Sequence, residues 1–258
     1  MAAARADQNA RSSGLLWPTL LTVIGLAILL GLGTWQMQRL DWKNGLVERI
    51  EARTKAPAVS LDAALGIYTG SFAEGVAAAL EYTRVELEGR FLHDREQYLY
   101  APHPKLGPGY HVLTPLEVTG PISRIVLVNR GYVPQAMKER ARRPQGIVAG
   151  ETKLAGFVRL PAAPNAFTPP NDPVRNLWYW RDLPALLAAA VPGREREAVP
   201  FTIDAQADAA NAGTWPRGGT TELKLPNRHL EYALTWYGLA VTLLAVYLAY
   251  VRSRRARV

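Results

Sequence analysis

The chain has 258 residues, no cysteine and a formal charge of +8. Without thiols, cysteine catalysis, disulfide stapling, copper delivery through paired cysteines and iron–sulfur ligation are excluded. Nucleic acid is not the implied partner, because residues 39–228 hold 24 Lys and Arg against 20 Asp and Glu, whereas counterion-release binding needs a concentrated basic face.

Residues 1–14 form a short tail carrying Arg5, Asp7 and Arg11, and residues 15–38 follow without a charge around the apolar stretch LLWPTLLTVIGLAILLGLGTW. At 1.5 Å per residue, about twenty residues cross roughly 30 Å of hydrocarbon, so 15–38 reads as a first transmembrane helix in a lipid bilayer. A cleavable secretory signal is the alternative; the apolar stretch exceeds the roughly 7–15 residues of such a signal and lacks a small-x-small cleavage site. The helical pattern continues through QMQRLDWKNGLVERIEARTK and puts Trp35, Arg39 and Trp42 on one face. An interfacial aromatic belt accounts for Trp35 and accounts less well for the cluster Trp35, Gln36, Arg39, Trp42 and Lys43.

Residues 39–228 read as a β-rich domain. LDAALGIY and FAEGVAAAL resemble short helices, and YTRVELEGRFL (82–92) alternates apolar and polar residues as a half-buried strand does. Further strands are expected at EQYLYAP, GYHVLTPLEV, SRIVLVNRGYVP, TKLAGFVRL, NLWYWRD and VPFTIDA, with one late helix at DLPALLAAAV and a surface loop at LPAAPNAFTPPNDPVRN. Strands that follow one another without βαβ helices imply a mostly antiparallel α+β domain, an open sheet or a barrel-like one. A domain of about 190 residues can build its core without disulfides. The densest basic run, QAMKERARRPQG with Lys138, Arg140, Arg142 and Arg143, reads as a solvated loop, with lipid headgroups or an acidic partner as alternatives.

Little in this domain points to enzymatic chemistry. No serine lies in G-x-S-x-G, and the pairs Glu86/Glu88 and Glu195/Glu197 have the spacing of solvated faces. His93, His103 and His111 read as a turn, a loop and a strand histidine, none with a metal-ligand spacing.

Residues 229–251 form a second apolar span, and residues 252–258 a basic tail with Arg252, Arg254, Arg255 and Arg257. The positive-inside rule then puts both tails in the cytoplasm or its equivalent and the β-rich domain outside. His229 stands at the outer mouth of this span, with Arg228 before it and Glu231, Tyr232 and Trp236 after it. A neutral imidazole there can donate to a heme iron, apolar helix surface can bury a porphyrin, and Arg39, Lys43 and Arg228 are at the depth of its propionates. The residues taken alone favour the alternative, a histidine that marks the membrane interface and bonds a neighbouring backbone group.

The stretches LGTWQMQRLDWKNGL, GYHVLTP, VNRGYVP and LPNRHLEYALTWYGLA, in that order and between two spans, resemble the Surfeit locus protein 1 family over nearly the whole chain. Members are membrane assembly factors for heme-copper cytochrome c oxidase. The resemblance implies a chaperone rather than an enzyme, one that binds heme a transiently, with the oxidase catalytic subunit and the heme a synthesis enzyme as partners. It matches Trp35, Gln36, Arg39, Trp42 and Lys43 to a first-helix signature, and His229 to the candidate iron ligand, with Tyr232 and Trp236 beside it. Asn129, Arg130, Gly131, Val133 and Pro134 match an NRG(W/Y)VP element, with Tyr132 where tryptophan is usual; Asn129 to Tyr132 are assigned to partner binding. Arg228 and Glu231 depart from the expected Asn and Gln. The alternative role is a membrane scaffold that stabilises an oxidase intermediate without binding heme. With about fourteen residues ahead of the first span, the expected location is a bacterial inner membrane with a periplasmic domain.

Overall fold

The structure, a computed structural model, describes residues 2–69, 80–120, 122–207, 214–220 and 227–256, with 2–14 described by their backbone alone. In chain order the elements are α1 (Ala2–Lys55), β1 (Val59–Ser60), α2 (Leu61–Thr69), β2 (Arg84–Phe91), β3 (Gln97–Tyr100), β4 (Gly109–Val118), β5 (Arg124–Pro134), β6 (Glu151–Arg159), α3 (Leu183–Ala190), β7 (Ala198–Ala205) and α4 (His229–Ala256). They form two compact units, Met1–Arg49 with Lys224–Val258, and Ile50–Leu223.

The first unit is a helix pair. Both α1, from Leu15, and α4 are long and apolar enough to cross a membrane. Their outward side chains, Leu16, Trp17, Leu234 and Val241 among them, stay uncovered, which water tolerates poorly and hydrocarbon favours. The helices approach through small residues. A Cβ on Gly33 would come within 2.6 Å of the Tyr237 ring and one on Gly25 within 2.9 Å of Leu243, while Ala233 and Ala240 are buried. Hydroxyl pairs reinforce the seam, Thr19 with Tyr247 at 2.7 Å and Thr34 with Tyr237 at 3.3 Å. Pro18 sits inside α1, and two nearby threonines bond back to the carbonyls four residues earlier: Thr19 Oγ1 donates to Leu15 O and Thr22 Oγ1 to Pro18 O, both at 2.7 Å.

The second unit is a closed barrel. Strands pair in the order β2-β6-β7-β5-β4, and β4 returns to β2 through Gly89–Val118 and Phe91–Leu116, while β1 and β3 attach outside the ring to β2 and β4. All pairings are antiparallel except β5–β7 and β1–β2. The barrel-like alternative is therefore the correct one, and Gly89 shows why the ring can shut: a Cβ there would lie 2.1 Å from the Glu117 carbonyl oxygen. The alternating β2 points Val85, Leu87 and Phe91 into the barrel, where they meet Leu116, Val126, Val128, Phe201, Ile203 and the inner face of α2. A second core lies on the opposite face of β5, where Ile125 and Leu127 pack against Trp178 and against Leu183, Leu186 and Leu187 of α3. Burial on both faces is why β5 reads as an unbroken apolar run.

Several expectations need correction. NLWYWRD is an irregular segment rather than a strand, joined to β3 by a single bridge at Leu99–Trp178. Its aromatic alternation reflects individual packing: Trp178 is wholly buried and its indole N–H donates to Gln97 Oε1 and Asn176 Oδ1, both at 3.1 Å. The basic run is not uniformly solvated, since Arg143 turns inward and is fully enclosed. β1, a two-residue strand too short to show a period, was not among the expected strands. The proposed helix FAEGVAAAL falls, apart from Leu80, outside the described residues.

Candidate functional site

Of the residues singled out at the ends of the two long helices, the structure brings His229 and Gln36 into contact. At about 100° per residue, Gln36, Arg39 and Lys43 fall within about 60° of one another round α1, with Trp35 and Trp42 within about 60° more on the same side. On α4, Tyr232 and Trp236 lie within about 60° of His229, whereas Glu231 is about 200° away. The two faces meet at His229, whose Nδ1 lies 2.7 Å from Gln36 Oε1. A second tie runs from Asn227 Nδ2 to Asn44 Oδ1 at 2.9 Å, and Asn227 Oδ1 also accepts the His229 amide at 3.3 Å, capping the helix start.

Around this junction the aromatic surface is open: Trp35 and Trp42 are 51% and 53% exposed, and the Arg39 guanidinium lies 4.5 Å from the centre of the Trp42 ring. Arg228 turns to Glu231, with Nη2 2.9 Å from the carboxylate, on the exposed side of α4. Glu231 is thereby held by a cation, and Arg228 is less available to an anionic ligand than Arg39. Among the described residues no group of three or more His, Asp or Glu could hold a bare metal ion.

Asn129, Arg130, Gly131 and Tyr132 lie in β5, where the structure gives them an inward task. Asn129 Nδ2 donates to Asp204 Oδ1 at 2.9 Å and to His111 Nδ1 at 3.1 Å, while its Oδ1 accepts from the Gly131 amide at 3.0 Å. Asp204 also receives Arg181 at 3.0 Å and Arg159 at 3.5 Å. Burial pushes its carboxyl up, but the two guanidinium charges and the Asn129 bond outweigh it and hold Asp204 below the usual range. Burial also drives His111 down to about 4, against the pull of Asp204 and helped by Arg181, His103 and Arg159.

Arg130 stacks 4.9 Å over Phe91, bonds the Gly146 carbonyl and reaches Glu96 at 3.4 Å; burial lowers it to about 10. Glu96 is also paired with the enclosed Arg143. Burial raises its carboxyl, yet bonds from His93 and Arg143 and the charges of Arg143 and Arg130 keep it below its ordinary value. Gly131 has φ +112°, and a Cβ there would lie 1.8 Å from the Arg217 carbonyl oxygen. Tyr132 is fully buried, with its hydroxyl donating to Gly107 O at 2.9 Å. The Asn129, Arg130 and Tyr132 side chains are thus committed to bonds within the barrel unit.

Sequence reasoning missed Asn44, Asn227 and the Glu96–Arg143 and Asp204–Arg181 pairs. Asn227 could have been found as a cap two residues before an apolar helix. The ion pairs join positions 47 and 23 residues apart and carry no local signal.

A closed β-barrel unit with a membrane-length helix at either end of the sequence defines the class, a membrane protein with two candidate spans and one β-rich domain. The SURF1 family model matches residues 23–241, and the chain belongs to that family. It is similar to the SURF1-like protein of Monosiga brevicollis, 34% identical over 255 residues, covering 94% of this chain and 89% of that one. Surfeit locus protein 1 of Xenopus tropicalis is 36% identical over 91% of this chain and 75% of its own, and that of Homo sapiens 36% over 81% and 69%.

Proposed function

We propose that this chain is an assembly factor for heme-copper cytochrome c oxidase that holds heme a at the junction of its two helices and acts as a carrier rather than an enzyme. The observation that supports this reading is the Gln36–His229 junction beside exposed Trp35 and Trp42 and the cation Arg39. These residues fit the group. A porphyrin already supplies four nitrogens to its iron, so one imidazole suffices where a bare ion would need three or more protein ligands. His229 would bind the iron, Arg39 and Lys43 would meet the propionates, and Trp35, Trp42, Tyr232 and Trp236 would supply apolar surface for the ring. Heme a itself supplies the redox chemistry of the oxidase that finally receives it.

The arginines at 252, 254 and 255 favour tails on the cytoplasmic side of an inner membrane, a bacterial one in this reading, with the barrel on the periplasmic side. The barrel surface would dock the oxidase catalytic subunit and the heme a synthesis enzyme.

The test is to express the full chain in a membrane that makes heme a, purify it in mild detergent and record the reduced pyridine hemochrome spectrum. Near-stoichiometric heme a is expected, and it should vanish in His229→Ala. Equal retention by both proteins would sink the ligand assignment. A heme-free wild type that still co-purifies with oxidase subunits would establish the scaffold role instead.

A further inference from the structure

We infer that Gln36 is a positioning residue for His229, fixing the hydrogen of the neutral ring on Nδ1 and so leaving Nε2 as the nitrogen able to bind iron. This rests on the heme reading above. The atom facing Nδ1 at 2.7 Å is the amide oxygen of Gln36, which only accepts, so Nδ1 must donate. A neutral imidazole has one hydrogen to place, and the other nitrogen then carries the lone pair. The reverse amide orientation would turn Nδ1 into an acceptor and put the hydrogen on Nε2, leaving neither nitrogen open to a metal.

The backbone of His229 is also held. Asn227 Oδ1 accepts the His229 amide at 3.3 Å, and Asn227 Nδ2 bonds Asn44 Oδ1 at 2.9 Å. Gln36 and Asn44 are eight residues apart on α1, about 12 Å along the axis at 1.5 Å per residue. Two ties separated in this way fix the rotation of the start of α4 about α1, so the imidazole is set by α1 rather than by its own rotamer preference.

The acceptor is an amide, not a carboxylate. A carboxylate on Nδ1 makes an imidazole a stronger donor to metal, and loss of such a partner costs 10- to 100-fold in metal affinity. A neutral acceptor orients the ring while leaving the iron bond of moderate strength, which suits a protein that must release its cargo.

The test uses the full chain in detergent with 15N-labelled histidine, first heme-free at about pH 8, above the ordinary imidazole range. The His229 signal, assigned by its loss in His229→Gln, should show the Nδ1–H form in wild type and shift toward Nε2–H in Gln36→Ala. An Nε2–H wild type, or a tautomer indifferent to Gln36→Ala, overturns the inference. Heme a is then added to wild type, Gln36→Ala, Gln36→Glu and His229→Ala. Affinity should fall on the order of 10-fold or more in Gln36→Ala and rise in Gln36→Glu, with the iron–histidine stretching frequency ordered Gln36→Ala, wild type, Gln36→Glu. If binding depends on His229 but both Gln36 variants match wild type, the positioning role is wrong. If all four bind alike, the heme reading fails, and the tautomer measurement still decides whether Gln36 orients the ring.

Discussion

His229 in the helix pair and His111 in the barrel both meet a side-chain amide through Nδ1, Gln36 at 2.7 Å and Asn129 at 3.1 Å, yet the two amides present opposite ends. Asn129 offers its N–H, so His111 carries its hydrogen on Nε2; Gln36 offers its oxygen, so His229 carries its hydrogen on Nδ1. In the barrel every arm of the asparagine is committed, to His111, Asp204 and the Gly131 amide, with Asn129 and Asp204 enclosed and His111 half-buried. At the helix junction the His229 ring is bonded through Nδ1, and α1 carries the half-exposed Trp35 and Trp42 and the stacked Arg39 on the side that bears Gln36. The barrel's polar groups bond one another, as those of a frame do, whereas the junction leaves aromatic surface exposed.

That contrast can be broken from the barrel side first. Glu96→Gln, which strips the carboxylate from between Arg143 and Arg130, should destabilise the folded protein by about 3–5 kcal/mol in denaturant titration. A loss under about 1 kcal/mol would mean that these charges are not buried as described.

The next effect is a pH dependence. Because His111 titrates at about 4 when folded and near 6.5 when unfolded, the unfolded chain binds the extra proton between those values. Stability should therefore fall as pH drops from 6.5 to 4, by up to about 3 kcal/mol. The stability that Glu96 and Asp204 contribute is present above their ordinary range and is lost only at still lower pH, because both are held below it. Comparing unfolding across this range in wild type and His111→Gln should remove the upper limb alone; parallel curves would refute the assignment.

Gly131→Ala should cost about 2–3 kcal/mol, since alanine meets both the positive φ and the Arg217 carbonyl. On the helix side, Gly33→Leu drives a side chain into the Tyr237 ring and should cost about 1–3 kcal/mol while disturbing the His229 tautomer signal. An unchanged signal would show that the junction does not depend on that close approach. The smallest effect belongs to Lys153→Ala, which removes an exposed pair with Glu88 and should shift stability by well under 1 kcal/mol.

Much of this architecture was legible because periodicity survives in sequence. The alternation of β2 and the apolar run of β5 marked their strands, and the charge-free runs marked α1 and α4. Barrel closure was not legible, because it depends on β2 meeting β4 across Gly89, a pairing without a local signature. NLWYWRD misled because Trp178 is placed by its own cavity and hydrogen bonds and not by a ladder. His229 was visible from its place before an apolar span; its bond to Gln36 crosses 193 positions and emerges only when the helices pack. The NRGY stretch was visible as a motif, but the inward bonds of Asn129 and Arg130 were not, because their partners lie 75 and 34 positions away.

The position of β7 sets a schedule for biosynthesis. It is the last of the seven described strands to be made, and it lies between β5 and β6. Until it emerges, both neighbours present raw hydrogen-bonding edges that invite pairing with another chain. Only 23 residues separate Ala205 from the start of α4. The nascent protein thus completes its barrel and its second membrane-length helix within a few seconds of each other, at about 5–20 residues per second.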